Sequence, residues 1–251
     1  MESSDRQGVI LAELRARDRV TVPEIARLVG CSEMTVRRDL DALARDGLVR
    51  RVRGAAVSAL TGEETPFPVR SRAGVEPKRR IGRAAANLLR DGETVVIDGG
   101  TTALEVAQAC RDRRLTVVPL SMHTANALTG AAGIRLVLPG GDLRPTELAF
   151  VGPLTEHAMD LLRFDAVVLG CCGITARDGL TGHDLAESTV KRAAIRAAKR
   201  VIVVADASKW GATAFSRICA PDQIDVIVTD PEAPAEQVAA FRTSGTEIVS
   251  A

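Results

Sequence analysis

The spacing of apolar positions changes along the chain, and each change predicts an element. Near the start, Val9, Ile10, Leu11 and Leu14 form a short apolar stripe of helical period. In the following Thr21-Val22-Pro23-Glu24, Thr21 can cap a helix, Pro23 suits its first turn and Glu24 completes a capping box. That helix is expected to end at Gly30. Ser32 is expected to cap the next helix and Gly47 to stop it. On this second helix Val36, Leu40 and Leu43 share one face, which predicts the packed side. Met34, Arg38 and Arg45 fall opposite, flanked by Thr35 and Arg37. Positions 48–57 then take strand-like spacing around a small-residue turn. Positions 58–76 carry Ser, Thr, Gly, Glu and Pro without a period, with Pro66 and Pro68 flanking Phe67, and read as a linker.

From Pro77 onward, β-branched runs alternate with stretches rich in Ala, Leu and Arg. The runs cover 94–98, 115–120, 134–139, 166–170, 201–206 and 226–230. Apolar runs separated by helices predict a parallel sheet covered on both faces. The expected architecture is α/β. A winged helix-turn-helix domain spans 1–57, a linker 58–76 and a parallel-sheet domain 77–251.

Composition narrows the classes of function. The 251 residues are 46% hydrophobic and 26% charged, with 33 basic and 32 acidic side chains for a net charge of +1. Any basic face must therefore be local. Aromatics make up only 2%, which argues against base-stacking platforms for single strands or RNA. Five cysteines without a CxxC pair, together with three histidines, argue against a disulfide framework or a zinc site. No metal or cofactor is expected. The first residues hold no apolar signal core, so no leader is expected among them, and no apolar run approaches the ~20 residues of a membrane span. A reducing cytoplasm fits these features.

The first domain supplies the local charge. In a helix-turn-helix a bracing helix sets a second helix into the major groove, and the turn between them needs small residues. Ala26 and Gly30 stand four apart and Val36 follows six later, matching that requirement. The first half of the second helix offers Ser32, Glu33, Met34, Thr35, Arg37 and Arg38 to DNA. Arg can pair bidentately with guanine, and Thr can reach a base edge or a phosphate. The hairpin after Gly47 makes a wing carrying Arg50, Arg51 and Arg53. Between Thr35 and Arg53 the count is Arg37, Arg38, Arg45, Arg50, Arg51 and Arg53 against Asp39, Asp41 and Asp46. The bland alternative, a helical domain with a solvated basic face, does not account for the turn spacing and the wing together.

The stretch VTVPEIARLVGCSEMTVRRDLDALARDGLVRRVRGAAV resembles the N-terminal signature of the DeoR family of bacterial transcription regulators, with the pattern SxxTVRRDLxxLxxxGLxRRxxGGA. It departs at Ala55, where the family usually has a second glycine, a change expected to stiffen the wing turn. The resemblance runs on through Lys78 with IGRAAANLL, DGETVVIDGGTTALEVA, LPGGDLR, DAVVLGCCGI, GLTGHDLAESTVKRAAI and VIVVADASKWG, and so covers nearly the whole chain. It implies a Rossmann-like sensor domain similar to sugar-phosphate isomerases and deaminases, which binds a phosphorylated sugar or related effector without catalysis. It also implies a repressor of carbohydrate metabolism genes.

Ligands of open parallel sheets gather at the carboxyl ends of the strands. There the chain places Asp98-Gly99-Gly100-Thr101-Thr102, Gly140-Gly141, Gly170 to Gly173, and Asp206 with Ser208 and Lys209. Gly99, Gly100, Thr101 and Thr102 lie between a strand and a helix, where bare N–H groups and hydroxyls can hold a phosphate. Glycine turns are also common after strands, so this stretch alone does not decide. Asp98 and Asp206 can accept from sugar hydroxyls. Lys191, Lys209 and Arg144 are candidate partners for an anion. Glu187 stands four before Lys191, the spacing of an ordinary surface pair. Asp184 and Glu187 are candidates because the family carries acids there. Gly173 and Ser121 complete the expected set. The family often has Thr-Asn-Ser where this chain has Pro119-Leu120-Ser121, with His123 and Asn126 nearby. Cys171-Cys172 reads as two small buried side chains, with redox sensing the alternative.

A ligand-controlled repressor is the leading reading, with double-stranded operator DNA as partner and self-association expected because two heads read two half-sites. The alternative is an isomerase-like or deaminase-like enzyme with an added head, using Asp98, Glu187 and Lys209 as acid–base groups. A non-specific DNA scaffold fits poorly with the near-neutral charge.

Overall fold

The computed structural model describes residues 3–17, 19–45, 49–52, 54–58 and 64–251. The chain divides into two compact units, Met1–Val75 and Glu76–Ala251.

The first unit has three main helices, Ser3–Ala16, Val22–Val29 and Glu33–Arg45. They share a core of Ile10, Leu14, Ile25, Val36, Leu40 and Leu43, none more than 1% exposed. The expected capping box is present: Thr21 Oγ1 accepts from the Glu24 N–H, and Glu24 Oε2 accepts from the Thr21 N–H at 2.8 Å. Gly30 closes that helix at φ +65°, a left-handed conformation that costs glycine little. Gly47, Leu48 and Arg53 lie outside the described residues. The wing strands Val49–Val52 and Ala55–Ser58 pair antiparallel, with Val52 opposite Ala55. A further strand, Arg19–Thr21, pairs with Ala55–Ser58, so the wing is one end of a three-stranded sheet. Gly54 takes φ +71° in the turn. Ala55 is 2% exposed and already within the strand, so the departure from glycine there does not fall in the turn itself.

The expected linker is structured from Glu64 on. A one-turn helix, Phe67–Arg70, buries Phe67, and Val69 packs against the core of the first unit. The helix Val75–Asn87 starts inside the same stretch. A single turn opened by proline is too short to produce a period, which is why positions 64–76 read as featureless.

The second unit is built on a seven-stranded sheet in the order Glu247–Ser250, Val226–Thr229, Val201–Val204, Ala166–Leu169, Thr94–Ile97, Leu115–Pro119, Ile134–Leu136. Every pairing is parallel. Both faces are buried. Val96, Val118, Val167 and Val203 face a core with Met159, Val190, Trp210 and Phe241. Val95, Ile97, Val168 and Val204 face a core with Ile81, Ala103, Val106 and Leu128. This two-sided burial explains the unbroken β-branched runs. The edge strand Glu247–Ser250 was not expected, because its ends are polar and it is only partly buried.

Two smaller sheets were also not expected. Gly173–Thr175, Gly179–Gly182 and Ser216–Cys219 form an antiparallel sheet, and Asp142–Arg144 pairs with Ala149–Val151 in a hairpin. Glycine is depleted in strands, so Gly173–Thr175 and Gly179–Gly182 gave no signal, and the hairpin strands of three residues each are too short to show an alternation. Here glycine permits close approach: a Cβ at Gly173 would collide with the Ala212 carbonyl, and one at Gly179 with that of Cys219. Among the described residues no helix is long and apolar enough to cross a membrane.

The connections set the location of the second site. From Thr94–Ile97 the chain steps outward in one direction through Leu115–Pro119 and Ile134–Leu136. It then returns to place Ala166–Leu169 on the other side. The order therefore reverses between Thr94–Ile97 and Ala166–Leu169, and a crevice opens outside the carboxyl ends of strands at such a point.

Candidate nucleic-acid interface and effector site

In the first unit Ser32 opens the helix Glu33–Arg45, its Oγ accepting from the Thr35 N–H at 3.2 Å. Glu33, Met34 and Arg38 are exposed, and Met34 is 59% exposed, high for an apolar side chain. Thr35 and Arg38 stand three apart and so share a face. Arg37 is exposed and pairs with Glu33 at 3.1 Å, one helical turn away. An exposed pair of this kind is worth a few tenths of a kcal/mol, so it does not withhold Arg37 from DNA. Arg50 and Arg51 lie on the wing strand Val49–Val52, and Arg53 lies outside the described residues. Asp39, counted above against the basic side chains, does not lie on this surface. It is 4% exposed and ion-paired with Arg6 at 2.8 Å on the helix Ser3–Ala16. Sequence reasoning missed Arg6, whose only signal was an arginine one turn before the apolar stripe.

In the second unit the switch point is tied together by Asp98. Its Oδ1 accepts from the Gly99 N–H at 2.7 Å and its Oδ2 from the Gly170 N–H at 2.9 Å. Lys191 Nζ lies 2.7 Å from Oδ2. Burial works against the Lys191 ammonium, but Asp98 and Glu187 outweigh it and raise its pKa. Lys191 reaches inward from the helix Leu185–Ala197 to the floor of the crevice. Asp98 and Lys191 thus neutralise each other and brace the two strand ends.

Arg144 is also held by carboxylates. Its Nε lies 2.9 Å from Glu187 Oε1 and 3.7 Å from Asp184 Oδ2. Asp184 in addition caps its helix by accepting from the Glu187 N–H. Gly140 and Gly141, at φ +72° and +97°, form a turn packed on Thr155, whose Oγ1 donates to the Gly140 carbonyl at 2.7 Å. Gly173 is set by its close approach to Ala212. Ser121 is fully buried and caps the helix Met122–Leu128. Leu120, standing where the resembled family has asparagine, is 3% exposed within the core.

The remaining candidates differ from these. Gly100 opens the helix Thr101–Ala109 without any side-chain cap. Met122–Leu128, Leu185–Ala197 and the short turn Ala207–Lys209 are capped by Ser121, Asp184 and Asp206, whereas Pro153–Leu161 and Ala235–Thr243, like Thr101–Ala109, start without a side-chain cap but have a proline at or beside their first residue. Thr101 and Thr102 are each 6% exposed, and their hydroxyls have no hydrogen-bond partner among the described residues. A Cβ at Gly99 would lie 2.7 Å from that of Ser121, so Gly99 is required by packing, whereas one at Gly100 would meet nothing within 4 Å. Lys209, half-buried, has no ion-pair partner among the described residues.

Lys209 and Lys191 both act on the Cys171 thiol, but burial dominates and pushes it up to about 12. A thiol at that pKa is a poor nucleophile, which favours packing over redox sensing for Cys171.

Comparison with known proteins agrees with both halves. Residues 6–61 match the model of the DeoR-like helix-turn-helix domain, and residues 74–231 that of the DeoR C-terminal sensor domain. The chain is 31% identical over 252 residues to a putative aga operon transcriptional repressor of Escherichia coli O157:H7, covering 98% of this chain and 93% of that one. It is 31% identical over 235 residues to the glycerol-3-phosphate regulon repressor of Escherichia coli K12, covering 93% of each. It is also 31% identical to the transcriptional repressor GlcR of Bacillus subtilis, over 92% of this chain and 89% of that one. A solved ribose 5-phosphate isomerase from Methanocaldococcus jannaschii is similar over 55% of each chain at 16% identity, with a TM-score of 0.42, too low to bear on the site.

Proposed function

Since the chain belongs to the DeoR family of transcription regulators, we propose that it is a cytoplasmic repressor whose grip on operator DNA is set by a phosphorylated sugar or polyol. The observation that carries the effector half is the uncapped helix start at Gly100, Thr101 and Thr102. Unpaired backbone N–H groups and a helix dipole favour an anion there. The hydroxyls of the largely buried Thr101 and Thr102, which have no hydrogen-bond partner among the described residues, add donors, and Lys209 adds a cation with no ion-pair partner among them. A phosphate group fits that set. Asp206 and the Ser208 hydroxyl, which are hydrogen-bonded to each other, lie beside Lys209 and suit the polyol part.

The enzyme reading loses support from the same geometry. Of its three acid–base groups, Asp98 is committed to Lys191 and two backbone amides, and Glu187 to Arg144. A general base must be able to reach a substrate proton.

On the DNA side, the helix Glu33–Arg45 enters the major groove and the wing strands carrying Arg50 and Arg51 track phosphates. Two copies of the chain bind two half-sites. The effector must favour one arrangement of the heads over the other, since equal binding to both shifts nothing. The test uses the full chain on a duplex selected from a random library, titrated with a panel of sugar and polyol phosphates that includes glycerol 3-phosphate. Trp210, next to Lys209 and packed edge-on to Phe241 at 5.7 Å, reports binding by fluorescence. One panel member should both perturb Trp210 and change operator affinity. A compound that saturates the site and leaves operator affinity unaltered defeats the proposal.

A further inference from the structure

The helix proposed to read DNA is held from behind by a buried fork. Asp39 follows Arg38 directly but faces the first helix instead of solvent. Arg6 donates through Nε to Asp39 Oδ2 at 2.8 Å and through Nη2 to Oδ1 at 3.2 Å. Ser3 Oγ donates to Oδ1 at 3.0 Å. The two side chains are 14% and 6% exposed. Three donors from one helix thus converge on a single carboxylate of another.

Stability alone does not explain this arrangement. Taking both charges out of water is costly, and apolar residues of similar volume often do as well or better. The surroundings are already apolar, with Ile10, Val36, Leu40 and Leu43 fully buried. What the fork adds is direction. Apolar contact is non-directional and tolerates a helix rolling about its axis. Two parallel N–H···O bonds between a planar guanidinium and a carboxylate fix both separation and rotation. Thr35 and Arg38 belong to the same rigid helix as Asp39, so a roll that breaks the fork swings their side chains sideways. Base-edge hydrogen bonds weaken steeply with misalignment. Attraction between an arginine and a phosphate tolerates such a displacement, because it is mostly charge.

From this geometry we infer that Arg6 and Asp39 are positioning residues for sequence readout: they set the rotation of the recognition helix, so operator preference depends on them and general DNA affinity does not. The inference rests on the DNA-binding reading above.

The full chain is used with two duplexes of equal length, one selected from a random library by the wild-type protein and one scrambled. The Arg6→Met/Asp39→Leu double variant removes the fork and keeps the volume apolar. It should melt no lower than wild type and bind the scrambled duplex within about twofold, with the same salt slope. Its preference for the selected duplex should fall by about tenfold or more, the equivalent of one lost bidentate base contact. Asp39→Asn keeps one acceptor and should fall in between; if the double variant does not fold, Asp39→Asn decides in its place. A folded variant whose preference stays within about twofold of wild type overturns the inference. A wild-type chain that does not discriminate between the duplexes overturns the DNA-binding reading instead, before any variant is measured.

Discussion

In each unit of this protein a buried aspartate is held against a cation, Asp39 against Arg6 and Asp98 against Lys191, and the two pairs have different tasks. In the first unit the donors to Asp39 among the described residues are all on side chains, two N–H groups of Arg6 and the hydroxyl of Ser3, and so link one helix to another. In the second unit Asp98 receives two backbone amides, from Gly99 and Gly170, and the ammonium of Lys191. A planar fork fixes the rotation of a helix. A point charge with two amides fixes the shape of a crevice between two strand ends. In both cases the buried pair lies one residue or one turn away from the groups proposed to meet the partner. Arg38 precedes Asp39, and Gly100 with Thr101 follows Asp98 and Gly99. The charges most visible in a list of candidates are thus partly scaffold, and the neighbouring side chains and amides are left to meet the ligand.

The largest effect should come from breaking the second pair on one side only. Lys191→Met leaves the Asp98 carboxylate buried without its counter-charge, a loss of about 3–5 kcal/mol. Chemical denaturation of the full chain should show one early transition belonging to the sensor while the head is unchanged. Asp98 is the floor of the crevice, so ligand binding should fail along with it. A variant with unaltered denaturation would show that the pair braces nothing. Next in size is Arg38→Ala. Loss of one bidentate base contact costs about 1–3 kcal/mol, so operator affinity should drop roughly tenfold or more. The Trp210 response to effector should persist, because the change lies in the other unit. Equal operator binding by Arg38→Ala and wild type would move the readout to other residues.

Much of this contrast was legible in the sequence, though not the pairs themselves. Thr21, Glu24, Gly30 and Ser32 marked helix ends because caps act locally, within one turn. Val36, Leu40 and Leu43 marked the inward face because burial imposes a period. The six β-branched runs marked strands because both faces of a parallel sheet are buried. Asp39 and Lys191 were read differently because their partners are distant in the chain. Asp39 looked like one more surface acid beside Arg37 and Arg38, and Lys191 looked like the surface partner of Glu187 one turn earlier. A period says which face is inward but not what waits there. Arg6 stands 33 residues from Asp39, and Asp98 far upstream of Lys191, so only the fold brings them together. The antiparallel sheet around Gly173 and Gly179 was hidden for another reason: glycine carries no side chain to reveal a buried face.

A smaller effect is expected at the uncapped helix. Thr101→Val keeps the shape and removes one hydroxyl. Because that hydroxyl has no hydrogen-bond partner among the described residues, thermal stability should hold or rise slightly. Effector affinity should fall several-fold, as for the loss of one hydrogen bond of about 1–1.5 kcal/mol. The operator should stay bound and become harder to release. Thr102→Val provides the companion test. If neither changes effector affinity, the anion lies elsewhere on the edge.

The smallest effect concerns acid, and it sharpens the comparison by separating the units along pH. In the first unit Glu24 is held at about 2 by hydrogen bonds from the Thr21 hydroxyl and amide, helped by Arg17, well below the ordinary 4.5. In the second unit Asp165 is held at about 2 by the Thr94 amide and by Lys199. For both groups the folded-state value lies below the unfolded one. Their contribution is therefore present above the ordinary carboxylate range and is lost as pH falls toward about 2. Each unit should weaken in the same acid window, for an unrelated local reason. Glu24→Gln keeps an acceptor for the Thr21 amide but no longer titrates. It should flatten the acid dependence of the head alone, read from the exchange of amides in the helix Val22–Val29, while the sensor weakens as before. Asp165→Asn should do the reverse. If Glu24→Gln leaves the head's pH dependence unchanged, the capping box is not what acid removes, and the loss must be sought at other carboxylates of that unit.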